Sequence, residues 1–163
     1  METGFASFKG VKDRVIKGAR ELGLEVEVQR LSQSTRTVSD AAQAVGCQEA
    51  EIAKSIVFIA DGEPVVCIAS GEHRIDPDRI ADALDVAEVR QASAAEVRAA
   101  TGYAIGGVPP FGHGLPVIFD EALLRHERVW AAAGDPHSLF DVDPRALADC
   151  TGAQVASVGD QRG

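Results

Sequence analysis

An α+β fold built on a mixed β-sheet is what this chain of 163 residues predicts. Three observations carry that expectation. The hydrophobic period switches repeatedly between two and 3.6 residues, short capped helices alternate with hairpin-type strands, and no internal repeat, low-complexity tract or linker interrupts them. The length and the 45% hydrophobic content suit one domain over residues 1–163 with one core.

The first element is an amino-terminal helix within residues 1–22. Read over 7–22, it places Phe8, Val11, Val15, Ala19 and Leu22 on one face. Glu25-Val26-Glu27-Val28 then alternates as a strand does. Ser39 and Asp40 start a short alanine-rich helix that stops at Gly46. The apolar runs 55–60 and 64–69, joined through Asp61-Gly62, read as a hairpin. Asp76-Pro77 supplies a capping carboxylate and a proline at the first helical position. Ser93 and Glu96 form a capping box for a helix ending near Thr101-Gly102. Strands follow at residues 116–119, 129–132 and 139–142, then a helix from Asp143-Pro144 and a last strand near 155–158.

The net charge of −9 argues against broad, nonspecific affinity for a polyanion. Its distribution is uneven. Residues 1–20 hold five basic and two acidic side chains, and the rest holds 11 basic against 23 acidic. On the first helix Lys9, Lys12, Lys17 and Arg20 share an arc of about 140°. That arc has two readings, a solvated helix face or a small electrostatic handhold for a nucleic-acid backbone.

No apolar run approaches the ~20 residues that span a bilayer, and the charged start lacks a signal-peptide core, so a cytoplasmic protein without membrane contact is expected. Cys47, Cys67 and Cys150 are odd in number and widely spaced, which predicts buried free thiols. His73, His113, His126 and His137 show no metal-ligand spacing, and neither a metal nor a cofactor is expected.

Beyond residue 17 the basic side chains are arginines except for Lys54, which opens the run Ser55-Ile56-Val57-Phe58-Ile59-Ala60. An ammonium is compact, carries three rotatable donors and shifts its pKa readily when desolvated. Lys54 either snorkels its stem along the strand or serves a site. The segment from Thr101 to Gly114 holds five glycines and two prolines in fourteen residues, which argues against a regular element. It lacks the Gly-Lys-Ser/Thr ending of a phosphate-binding P-loop and the GxGxxG spacing of a dinucleotide turn. Gly106 and Gly107 are placed either to bring backbone amides against a ligand carbonyl or phosphate, or to form a rigid turn.

Ala53-Lys54-Ser55, the stretch from Thr101 through His113 with its Gly106-x-x-x-Pro110 core, and Ala133-Gly134 together resemble the YbaK/ProX superfamily. Its members are freestanding aminoacyl-tRNA deacylases related to the editing domain inserted in bacterial prolyl-tRNA synthetase. The resemblance covers roughly residues 20–160. Lysine followed by the glycine-proline loop is the specific part, and Ala133-Gly134 alone is weak.

The resemblance implies a mixed sheet surrounded by short helices, and hydrolysis of the ester joining a wrong amino acid to the terminal adenosine of a tRNA. Such an ester is already activated, so the site has to position it and a water and stabilise the oxyanion. Lys54 matches the family's essential lysine, and Gly106 and Gly107 match the loop whose backbone holds the aminoacyl end. A protonated ammonium is no base, so positioning and electrostatics suit Lys54 unless its pKa is much depressed. In the family the tRNA's own hydroxyl is thought to help activate the water.

Thr37 resembles the position lining the amino-acid pocket, with a helix-start hydroxyl as the other reading. Ser55, Val108, Pro110 and Gly134 belong to the matching motifs and are expected at the substrate. His137 and Ser138, just after Gly134, either face it or are polar loop residues. Tyr103 and Trp130 offer stacking surfaces for adenine or are packing, whereas His113 and Cys67 read as packing residues. The expected partner is the acceptor end of an aminoacyl-tRNA, tRNA-Pro or a related one carrying a small amino acid, with prolyl-tRNA synthetase or another synthetase as a possible second partner. Two competing readings are a noncatalytic relative that binds tRNA or a synthetase, and a small-molecule domain whose glycine loop grips a phosphate.

Overall fold

The hairpin at Asp61-Gly62 organises the sheet. Both turn residues take positive φ, 46° and 86°, the twist that a two-residue connection needs. From it run β2 (Ile52–Ala60) and β3 (Glu63–Ser70), paired antiparallel along their whole length. The computed structural model describes residues 8–32 and 37–160, without the side chains of Phe8 and Lys9.

Among the described residues six further strands join the sheet: β1 (Gln29–Arg30), β4 (Val89–Gln91), β5 (Val117–Asp120), β6 (Val129–Ala132), β7 (Ser138–Val142) and β8 (Gln154–Ala156). Their order is β1-β7-β6-β2-β3-β5-β8, with β4 attached to β2 off this path. The β2–β6, β3–β5 and β5–β8 pairs are parallel and the others antiparallel, so the sheet is mixed as expected.

Helices cover both faces. On one side α1 (Phe8–Glu21), α4 (Ala94–Thr101) and α5 (Pro144–Cys150) bring Val15, Ala19, Val97 and Leu147 against Ala53, Val57, Ile68, Phe119 and Phe140. On the other, α2 (Val38–Val45) packs Ala41 and Ala42 on Ile52 and Leu139, while α3 (Pro77–Leu84) packs Ile80 on Phe58, Cys67 and Ile118. Phe119, Phe140 and Ile68 have no solvent exposure, and each such side chain contributes about 1.5–3 kcal/mol of burial free energy.

The expected caps are present. Asp76, Ser93 and Asp143 accept hydrogen bonds from the first turns of their helices, and Ser93 and Glu96 form the reciprocal box. Several expectations need correction. Residues 25–28 alternate in burial but pair with no strand among the described residues, because β7 is reached only at Gln29 and Arg30. The helix assigned to Ser39 and Asp40 is capped earlier by Thr37, whose Oγ1 accepts from the Asp40 amide at 3.0 Å. The last strand is Gln154–Ala156, earlier than 155–158. β4 was not expected; Asp61 holds its approach by accepting from the amides of Ala87 and Glu88. Of the three thiols Cys67 alone is fully buried, and Cys47 and Cys150 are partly exposed. Leu22 lies past the end of α1 and is exposed.

Candidate active site

One edge of β2 is paired with β3 throughout, but the other changes partner midway. β6 pairs with residues 52 and 53, β4 pairs with residues 58–60, and Ala92 bonds the Val57 carbonyl. Among the described residues, 54–56 have no strand partner on that edge. A cavity of roughly 200 Å³ opens there, between α2 on one face of the sheet and the glycine-rich loop on the other.

The period of two along β2 sends alternate side chains to opposite faces. Ile52, Lys54 and Ile56 share the α2 face with Trp130, Ala132 and Leu139. Ser55 and Val57 share the loop face with Ala92, Val97, Gly106 and Val108. The two faces meet at the open edge, so residues adjacent in sequence line the same cavity from different sides.

Lys54 is partly buried beside a mainly apolar lining. Burial pushes its ammonium below the ordinary lysine range, and the nearby Cys67 sulfur and Asp120 carboxylate oppose that shift. Asp120 is itself buried, accepting from the amides of Ser70 and Ala122 and pairing with His73. Burial raises the Cys67 thiol to about 12, so it is protonated near neutrality and no nucleophile.

The loop begins where Gly102 ends α4 with φ +79°. Gly107 donates its amide to the Ala104 carbonyl at 3.0 Å, with Gly106 at φ +86° inside that turn and Ile105 exposed at its tip. Val108, Pro109, Pro110 and Phe111 are buried, and Phe111 meets Phe140 with ring centroids 5.6 Å apart. The loop is therefore anchored in the core at one end and presents Gly106 to the cavity at the other.

Of the residues singled out from sequence, Thr37, Lys54, Ser55, Gly106 and Val108 line this cavity together, and so does Trp130. Gly107, Pro110, Gly134, His137 and Ser138 do not. The Gly107 amide is engaged within its own turn, so it is not placed as a free donor. Gly134, at φ +100°, is a packing glycine: a Cβ there would collide with Val11 of α1. His137 and Ser138 belong to a turn organised by Asp135, whose carboxylate accepts from the His137 amide at 2.8 Å and the Ser138 hydroxyl at 3.1 Å. Tyr103 is buried beneath the Arg14 guanidinium, 4.6 Å from its ring centroid, and offers no open stacking face. Lys17 and Arg20 are exposed on α1, Lys12 is partly buried, and the Lys9 side chain lies outside the described residues. α1 packs on the loop through Gly18, which lies against Phe111.

The wall formed by Val38, Ala41, Gln91, Ala92, Val97 and Leu139 was not foreseen. It comes from four elements distant in sequence, α2, β4, α4 and β7, and β4 is too short to announce itself by alternation. Asp135 was legible in principle, because Gly-Asp-Pro-His has the composition of an Asx turn.

Among the described residues lining the cavity Lys54 is the one titratable side chain; no histidine, cysteine or carboxylate joins it. No group of three or more described His, Cys, Asp or Glu side chains is placed to hold a metal. No described helix is long and apolar enough to cross a membrane. The arrangement offers a cation and a shaped apolar wall, a combination suited to holding an activated ester and countering negative charge.

The family model of the aminoacyl-tRNA editing domain matches residues 32–150. The uncharacterized protein YwhH of Bacillus subtilis is 34% identical over 134 residues, covering 80% of this chain and 85% of that protein. The proline–tRNA ligase of Solidesulfovibrio magneticus is 34% identical over 106 residues, which is 63% of this chain and 18% of the ligase. The crystal structure of a protein proposed as a trans-editing enzyme for prolyl tRNA synthetase superposes with a TM-score of 0.87 at 41% identity, covering 94% of this chain and 99% of that one.

Proposed function

Because the chain belongs to the aminoacyl-tRNA editing domain family, we propose that it is a trans-acting deacylase, hydrolysing the ester between a wrongly attached small amino acid and the terminal adenosine of a tRNA. Its relation to proline–tRNA ligases favours tRNA-Pro as the body and a prolyl-tRNA synthetase as the associated enzyme. The observation that carries the reading is Lys54, the lone titratable group among the described residues lining the cavity, set opposite the exposed Gly106 turn.

In this mechanism a water oxygen attacks the ester carbonyl carbon, the tetrahedral oxyanion forms, and the bond to the ribose oxygen breaks. That oxygen takes a proton, leaving a free amino acid and a tRNA with its hydroxyl restored. Lys54 faces the developing negative charge, and its three donors bridge the oxyanion and the substrate. Preorganised charge of this kind is worth far more in a water-poor cavity than in bulk water. With no histidine or carboxylate on the described lining, the water is activated by a group the substrate brings, and the neighbouring ribose hydroxyl suits that role.

The test is a panel of tRNAs mischarged with small amino acids, assayed for deacylation by wild type, Lys54→Ala and Lys54→Arg. Hydrolysis by wild type that is lost in both folded variants supports the reading, since a planar guanidinium does not replace a compact ammonium. Undiminished activity in folded Lys54→Ala removes Lys54 from the mechanism. Absence of hydrolysis across the panel, with tRNA binding intact, favours a noncatalytic tRNA-binding role.

A further inference from the structure

The Ser55 hydroxyl is shut off from solvent yet has no hydrogen-bond partner among the described residues. Ser55 is one of the residues lining the cavity, on the loop face with Val57, Ala92, Val97 and Val108. A buried hydroxyl without a partner costs free energy, and groups left so in native proteins commonly await a ligand or water.

The other polar side chains lining the cavity are differently disposed. Thr37 accepts the Asp40 amide as the cap of α2, Gln91 is exposed at the rim, and Lys54 is the cation of the α2 face. Ser55 is thus the enclosed and uncommitted hydroxyl. No carboxylate joins it among the described lining residues, so the surroundings suit a neutral polar group better than the α-ammonium of an amino acid.

We propose that this cavity selects an aminoacyl group bearing a β-hydroxyl, serine or threonine, and that the Ser55 hydroxyl is its hydrogen-bond partner. The proposal rests on the deacylase reading above and adds the class of amino acid to it. A bound β-hydroxyl satisfies Ser55 and is satisfied by it. An alanyl group in the same place leaves the Ser55 oxygen unpartnered, and sites built to bond a hydroxyl discriminate strongly against analogues lacking it.

Seryl-, threonyl- and alanyl-tRNA on one tRNA-Pro body are compared in single-turnover deacylation by wild type and Ser55→Ala. Wild type is expected to hydrolyse the seryl or threonyl ester faster than the alanyl ester by about 10-fold or more. Ser55→Ala should reduce that preference, slowing the seryl and threonyl esters more than the alanyl ester. Thermal melting of the ligand-free variant should match or exceed wild type, because the substitution removes an unpartnered buried hydroxyl. A seryl, threonyl and alanyl series hydrolysed equally by wild type overturns hydroxyl selection while leaving the deacylase function standing. Equal slowing of all three in Ser55→Ala also overturns it, assigning Ser55 to a feature common to every substrate. Failure to hydrolyse any ester of the wider panel overturns both readings.

Discussion

Gly107 lies against Asp135: a Cβ on the glycine would come 3.0 Å from the Asp135 Cα and 3.1 Å from its amide nitrogen. The glycine-rich loop and the β6–β7 turn thus touch backbone to backbone, and a motif that looks like ligand-binding chemistry is at this position a packing requirement. Gly106, one residue earlier, has no described residue within 4 Å of its Cβ direction and needs glycine for its φ of +86°.

Two alanine substitutions should therefore separate. Gly107→Ala forces backbone apart and should destabilise by about 1–3 kcal/mol. Gly106→Ala pays only the left-handed penalty of about 1–2 kcal/mol, yet its methyl enters the cavity mouth, and deacylation should fall on the order of 100-fold. Denaturant unfolding and single-turnover hydrolysis on both variants check this, and a Gly106 variant with wild-type turnover would detach the turn from catalysis.

Lys54 should make stability depend on pH in a defined direction. Its folded pKa lies below the ordinary value of 10.5, so the unfolded chain binds more protons and stability rises with pH through that window. The penalty is complete below the folded pKa and gone above 10.5. Lys54→Met should accordingly stabilise the protein near neutrality, with a gain that shrinks as pH approaches that limit. Denaturation midpoints of both proteins from neutral to alkaline pH measure it, and a gain independent of pH would contradict the burial argument.

Glu96 should behave in the opposite sense. The Arg90 fork, with both nitrogens at 2.8 Å, and the Ser93 amide hold its carboxyl at about 2, below the ordinary 4.5. Its stabilising contribution is present above 4.5 and is lost as pH falls toward 2. The same carboxylate ties β4 to α4, so Glu96→Gln should flatten the acid end of the stability profile. Ser93→Ala should cost about 1 kcal/mol through loss of the cap. Titration of the Glu96 side chain by NMR gives the direct reading.

Charge reversal of Lys17 and Arg20, both exposed on α1, should weaken tRNA binding and lower its salt slope by about one for each phosphate contact removed. Hydrolysis at saturating tRNA should change little, because these residues are not part of the cavity lining. Affinity measured across a salt series decides; an unchanged slope makes the arc a solvated face.

Local chemistry was readable from the chain itself. Asp61-Gly62 specifies a hairpin because the turn needs positive φ twice, and Asp76-Pro77, Ser93 with Glu96, and Asp143-Pro144 specify helix starts because their side chains satisfy amides that no helix can satisfy internally. Lys54 stood out by composition, and the glycine-proline loop by its incompatibility with any regular element. What the chain could not express was adjacency. The cavity exists because β2 exchanges β6 for β4 along one edge, a consequence of pairings between residues 52–60, 89–91 and 129–132 that no local pattern encodes. That exchange lets Lys54 and Ser55, on opposite faces of one strand, line the same space. Tertiary packing likewise divided the glycines, leaving Gly106 at the cavity and assigning Gly107 and Gly134 to close backbone contact, since space around a Cβ is set by what folds against it.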